Sequence, residues 1–200
     1  MASPKNPSRR EFIKKTTYVG LGFTLGIQLE SCSGSALDDD SAIERTTFSP
    51  NAWLSIYPNN EVSISISKAE MGQGLITAIP KIIAEELELD WSQISIELAD
   101  ASGKFEVSMY TGASNSIRNL WKPLRQAGAT AKEMLIEAAA LKWNTSSTDC
   151  YASKGRVFNR HSKLSFSYGE LCLTAKKRPV PQNPKLKTYK DHSLIGKKTN

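Results

Sequence analysis

Metal-binding side chains are scarce in this sequence: two histidines and three cysteines in 200 residues, with no CxxC pair and no His/Cys cluster. Nothing in that spacing suggests a metal site built from this chain's own ligands. Long apolar runs are missing too. The most apolar early stretch, Tyr18 to Ile27, is ten residues with three glycines, whereas a membrane-spanning helix needs roughly 20 apolar residues. No run of lysine and arginine is interleaved with aromatics in the middle of the chain, which leaves nucleic-acid binding without support. The formal net charge of +6 is partly local: residues 1–32 hold five Lys/Arg and two Glu, a balance of +3, so +3 remains for the rest. Past Cys32 the only thiols are Cys150 and Cys172, and their spacing leaves open whether they pair.

What is present begins with a paired-arginine block, Ser8-Arg9-Arg10-Glu11-Phe12-Ile13-Lys14-Lys15, followed by the weakly apolar stretch just described. Basic, then apolar, then small polar residues is the order of a twin-arginine export signal, so residues 1–32 are predicted to direct the chain to the periplasm. Leu29-Glu30-Ser31-Cys32 resembles a lipoprotein processing box, which makes Cys32 a candidate for lipidation and membrane anchoring. Residues 33–47, with Asp38-Asp39-Asp40, cannot bury enough apolar surface to fold and read as a flexible linker.

From Phe48 the pattern is that of a folded domain. Trp53 to Tyr57 and Glu61 to Ser67 alternate with period two around the turn Pro58-Asn59-Asn60, which predicts a β-hairpin. Leu75 to Leu89 carries Ile79, Ile82, Ile83 and Leu87 at helical spacing, with Glu85, Glu86 and Glu88 expected to face water. Ile94 to Leu98 resumes alternation as a third strand, completing a strand–helix–strand unit. Phe105 to Val107 reads as a short extended piece, and Ser116 to Trp143 as a long helix with alanines spaced for close packing. A hairpin around Lys154-Gly155 and a short helix capped by Ser167 follow. The basic residues of 176–178 and 185–198 are expected to be solvated, and His161 and His192 to sit in polar loops without a catalytic role. The fold class is α/β to α+β, a small mixed sheet with packed helices over residues 48–177, continued by an extended segment, 178–200.

Two loops share one character. Met71-Gly72-Gln73-Gly74 and Thr111-Gly112-Ala113-Ser114-Asn115-Ser116 place small and hydrogen-bonding residues directly before a predicted helix. A helix start offers unpaired N–H groups and the positive end of the dipole, and glycine lets a ligand approach the main chain closely. The same residues also suit plain loop glycines with Ser114 or Ser116 as N-cap.

In order along the chain, Asn51-Ala52-Trp53-Leu54, Glu70 to Gly74, Ala84-Glu85-Glu86-Leu87, Thr111 to Arg118, Leu124 to Ala129 and Tyr168-Gly169-Glu170-Leu171 carry a further signal. Together they resemble the start of the molybdopterin-binding large subunit of the xanthine dehydrogenase and aldehyde oxidase family, especially its isoquinoline 1-oxidoreductase beta-subunit branch. The resemblance implies part of a molybdenum-cofactor-binding domain and molybdopterin cytosine dinucleotide as the cofactor. It implies as partners the remaining domains of the large subunit and a small subunit bearing [2Fe–2S] clusters. It also implies that Gly72, Gln73 and Gly74 meet the pterin or dinucleotide through N–H groups and the Gln73 amide. Thr111, Gly112, Ala113, Ser114 and Ser116 would supply further donors near the phosphates.

Two positions depart from the family pattern, which commonly has glutamine where this chain has Met109 and glycine where it has Ala113. Family members also continue past Leu194-Ile195-Gly196 into substrate-binding and further cofactor-binding parts that end near a catalytic glutamate. The 200 residues alone are therefore expected to be inactive, with Glu70, Glu85 and Glu86 no substitutes for that base. The alternative is a non-enzymatic exported module, lipid-anchored through Cys32, that kept the fold.

Overall fold

A computed structural model describes residues 46–99 and 109–197, all within one compact unit, Ala42–Asn200. The export signal, Cys32, most of the linker and the extended piece at Phe105 to Val107 lie outside the described residues.

The period-two stretches form the strands they predict, and one strand that the pattern does not show, at residues 48–51, precedes them. β1 (Phe48–Asn51), β2 (Leu54–Ile56) and β3 (Val62–Ile66) run antiparallel, with Leu54 opposite Ile64 and Ile56 opposite Val62. β4 (Ile94–Leu98) lies parallel to β3 in the register Val62 to Ile94 and Ile66 to Leu98. The sheet order is β1-β2-β3-β4. A parallel neighbour requires a crossover, and α1 (Leu75–Leu87) supplies it. Its stripe Leu75, Ile79, Ile82, Ile83 and Leu87 is buried together with Leu54, Ile56, Ile64 and Ile66 of the sheet.

α2 (Ser116–Trp143) runs its full length through Pro123, which falls near the start, where a missing donor disturbs least. It packs on α1 through small residues. A Cβ on Gly128 would lie 2.5 Å from the Ile83 carbonyl oxygen and 3.0 Å from Glu86 Cβ, so the two backbones approach as only glycine allows. A second sheet, β5 (Cys150–Ser153), β6 (Arg156–Asn159) and β7 (Ser165–Ser167), is antiparallel and turns through Lys154-Gly155. α3 (Tyr168–Ala175) begins with the expected Ser167 cap: Glu170 N–H donates to Ser167 Oγ, and Ser167 N–H returns a bond to Glu170 Oε2 at 2.7 Å. Tyr168 is buried and donates its hydroxyl to the Leu87 carbonyl at 2.6 Å, tying α3 to the end of α1. Cys150 and Cys172 are both buried and both free thiols. No described helix is long and apolar enough to cross a membrane.

Helices packed on small sheets match the expected fold class. Two expectations about exposure fail. Glu85 and Glu86 are 1% and 0% exposed rather than solvent-facing. The segment after α3 folds back over that side of α1, so α1 has no wet face there. Glu85 accepts Lys187 Nζ at 2.6 Å and the N–H groups of Ser193 (2.8 Å), Leu194 (2.7 Å) and Ile195 (2.9 Å). Glu86 accepts Arg125 Nε at 2.6 Å and Lys187 N–H at 2.9 Å. Lys187, expected in a solvated tail, has a side chain only 8% exposed, between Glu85 and Glu88. Carboxylates enter an interior only when every oxygen is compensated, and here a strap of chain 101 to 110 residues away does the compensating. This donor set holds the Glu85 carboxyl at about 2 against the cost of burial.

Candidate functional site

Between β3 and α1 the chain turns through Ala69 to Gly74. Gly72 and Gly74 have φ of 92° and 84°, and Gly74 is the N-cap of α1. A Cβ on either would meet nothing within 4 Å. Glycine is thus needed for the left-handed backbone, and the loop borders open space.

The donors of this loop are already engaged. Glu70 bends over the start of α1, accepting the N–H of Gly72 at 2.7 Å and of Gly74 at 3.0 Å on one carboxylate oxygen, and that of Ile76 at 2.9 Å on the other. The N–H groups of Ile76 and Gly74 hold the Glu70 carboxyl below the usual carboxylate range. The Gln73 amide folds back on its own loop: Oε1 accepts Met71 N–H at 2.6 Å, and Nε2 donates to the Ala69 carbonyl at 3.0 Å. Glu70 is the site residue that sequence reasoning missed. The signal was an acidic side chain a few residues ahead of a helix start, where it can satisfy unpaired N–H groups and the dipole together.

The second loop lies directly against the first. Thr111 Oγ1 donates to the Ala69 carbonyl at 3.2 Å, and Lys68 Nζ to the Tyr110 carbonyl at 2.8 Å. Ala113 and Ser114 both take the left-handed conformation, with φ of 53° and 51°. Ala113 therefore keeps the backbone that glycine would adopt, at a strain of about 1–2 kcal/mol, and such strain concentrates at functional loops. Neither expected serine caps α2. The N-cap is Asn115, whose side chain makes no capping bond. Ser114 is exposed, and Ser116, the first residue of α2, is 7% exposed. Neither hydroxyl bonds another described residue.

Both loops open on one cleft of about 320 Å³. Gln73 borders it from the first loop, and Thr111, Gly112, Ser114 and Ser116 from the second, with Met71, Leu75 and Ile117 adding apolar surface. The structure so brings together five of the eight expected cofactor residues as lining. Gly72 and Gly74 shape the first loop and Ala113 the second. Ligand pockets run from about 300 to 1,000 Å³, so this cleft lies at the small end of that range. Its donor set suits an oxygen-rich group on the α2 side, where the serine hydroxyls and first-turn N–H groups of α2 are available. On the α1 side Glu70 holds the donors.

A mixed α+β domain with a cleft between two helix starts is compatible with ligand binding. The chain belongs to the molybdopterin cofactor-binding domain family, whose model it matches over residues 3–198. It is 31% identical over 182 residues to isoquinoline 1-oxidoreductase subunit beta of Brevundimonas diminuta, covering 88% of this chain and 22% of that protein. Against the membrane-bound aldehyde dehydrogenase (pyrroloquinoline-quinone) of Gluconacetobacter polyoxogenes it is 34% identical over 160 residues, 80% of this chain and 20% of that protein. The crystal structure of quinoline 2-oxidoreductase from Pseudomonas putida 86 superimposes on 60% of this chain and 15% of that one, with a TM-score of 0.49 and 20% identity. The chain thus spans about a fifth of the length of these two relatives.

Proposed function

We propose that this chain supplies part of the molybdopterin cytosine dinucleotide site of a molybdenum hydroxylase large subunit that oxidises N-heterocycles or aldehydes. The convergence of the Met71–Gly74 and Thr111–Ser116 loops on one cleft carries the reading, together with family membership. The hydroxyls of Ser114 and Ser116 and the first N–H groups of α2 would hold a phosphate-bearing part of the cofactor. The left-handed backbone at Gly72 and Gly74 leaves room for an uncharged ring system to lie close to the main chain. When bound, the cofactor supplies the redox centre at which a carbon beside a ring nitrogen, or an aldehyde carbon, takes up oxygen from water.

The described residues bind and orient; they do not move protons at this cleft. Glu70 is committed to three N–H groups, and Glu85 and Glu86 are buried under the strap. The remaining parts of the large subunit would therefore supply the base. A small subunit with two [2Fe–2S] clusters would remove the electrons. Support for a multi-subunit assembly comes from the name of the relative, a subunit beta, of which this chain covers 22%. The Arg9-Arg10 block supports twin-arginine export to the periplasm, and the box ending at Cys32 supports a lipid anchor.

The test is molybdenum and released cytidine monophosphate, each measured per protein in the intact large subunit expressed with export functional. The double variant Ser114→Ala, Ser116→Ala should retain about tenfold less of both, the equivalent of one or two lost hydrogen bonds. Unchanged retention would reject the assignment. The 200-residue chain alone should hold far less than one metal per chain, and stoichiometric molybdenum in it would show that the site is complete without further parts.

A further inference from the structure

Two helix starts face the same cleft: Leu75, the first residue of α1, and Ser116, the first residue of α2, both line it. They are chemically unlike. The α1 start is filled by the chain's own carboxylate, with Glu70 oxygens 2.7 to 3.0 Å from the N–H groups of Gly72, Gly74 and Ile76. The α2 start is open, with an N-cap that makes no side-chain bond. There the Ser116 side chain belongs to a residue 93% buried, makes no bond to another described residue, and borders the cleft. A hydroxyl on a largely buried residue at a cavity wall, unpaired among the described residues, suits a ligand atom.

We propose that Glu70 is a specificity-determining residue that fixes which way round the ligand lies. By filling the α1 donors with a fixed negative charge, it excludes an anionic group from the Met71–Gly74 loop and leaves the α2 start to receive one. With those N–H groups filled by a carboxylate, the loop has no free positive end for an anion. That surface matches an uncharged ring, and the hydroxyl-lined α2 side matches an oxyanion. The inference rests on the cofactor-site reading above and assigns that ligand's polarity.

The experiment uses the full 200-residue chain, ¹⁵N-labelled, titrated with inorganic pyrophosphate as the anionic probe. In the wild type, backbone amides of Ser116, Ile117 and Arg118 should shift with added probe, while those of Gly72, Gly74 and Ile76 stay put. In Glu70→Ala the second set should also shift, and the probe should bind about threefold or more tightly, as expected for an anion gaining a helix start. Glu70→Gln keeps an acceptor oxygen without the charge and should give the same pattern more weakly. Persistence of the α2 shifts in either variant shows that it is folded. Wild-type shifts at Gly72, Gly74 and Ile76 equal to those at α2 would overturn the proposal. So would a Glu70→Ala protein that gains no second set, and that result leaves the cofactor-site reading intact. A probe that moves neither set in any of the three proteins would also overturn the proposal, while the cofactor-site reading is decided separately by retention in the intact large subunit.

Discussion

Replacing Glu85 by glutamine keeps the shape of the side chain and removes its charge from a pocket that offers only donors. The carboxylate there receives Lys187 Nζ and three consecutive backbone N–H groups, Ser193 to Ile195. An amide presents one oxygen to these groups and turns two N–H bonds toward the rest, so some donors lose their acceptor while Lys187 keeps only Glu88. Removing one partner from a buried, hydrogen-bonded ion pair costs about 3–5 kcal/mol. For a domain of this size that lowers the melting temperature by roughly 6–20 °C. The assay is thermal unfolding by circular dichroism, with limited trypsin digestion at Lys185 to Lys190 to report whether the strap has lifted. The pH dependence gives a second check. The Glu85 carboxyl is lowered from 4.5 to about 2 in the folded chain, so its contribution is fully present above the unfolded value and fades as pH falls from 4.5 toward 2. The wild type should lose this stability across that window, and Glu85→Gln should show no such loss at this position. A variant within about 1 kcal/mol of wild type, with the strap still protected, would refute the claim that Glu85 holds it.

Three further outcomes follow from packing. Gly128→Ala would set a Cβ 2.5 Å from the Ile83 carbonyl oxygen, and urea unfolding should show a loss of about 1–3 kcal/mol, the cost of overpacking two helices. Tyr168→Phe leaves the buried Leu87 carbonyl without the hydroxyl that meets it at 2.6 Å, a loss of about 1–3 kcal/mol by the same measurement. Burial pushes the Cys172 thiol up to about 11 and raises that of Cys150, so a thiol reagent at pH 8 should count both only after denaturant is added, in line with the reactivity of thiolates rather than thiols.

Strands β2 to β6, the α1 stripe and the whole of α2 were legible because their signals are local: period two in Val62 to Ile66, and three- and four-residue steps from Leu120 to Ala139. β1 and β7, of four and three residues, are too short for a period to show, and Pro50 masks the first. Glu85 and Glu86 were misread because charge on a helix normally means water. Their partners, Arg125, Lys187 and Ser193 to Ile195, lie 39 to 110 residues away, beyond any window of local pattern. At the candidate site the two loops could be picked out from their glycines and hydroxyl residues, and their meeting on one cleft is a tertiary fact. Glu70 differs in kind. Its partners are two to six residues away, so the bond was within local reach, but a carboxylate beside a proposed ligand loop invites a search for catalytic acids instead of caps.

The strap over α1 also sets a timetable. As the chain is made, the residues of α1 and the sheet are synthesised long before residue 185, and until then Glu85 has none of its partners and Glu86 has only Arg125. Two carboxylates cannot be drawn into an interior on those terms. The side of α1 that carries them must stay hydrated until Lys187 and the Ser193–Ile195 backbone arrive. Closure is therefore a late step that depends on sequence-distant contacts, the kind that fold slowly. A chain interrupted before residue 187 would leave Glu85 with none of these partners and Glu86 with Arg125 alone, and the flank of α1 that carries them would stay wet.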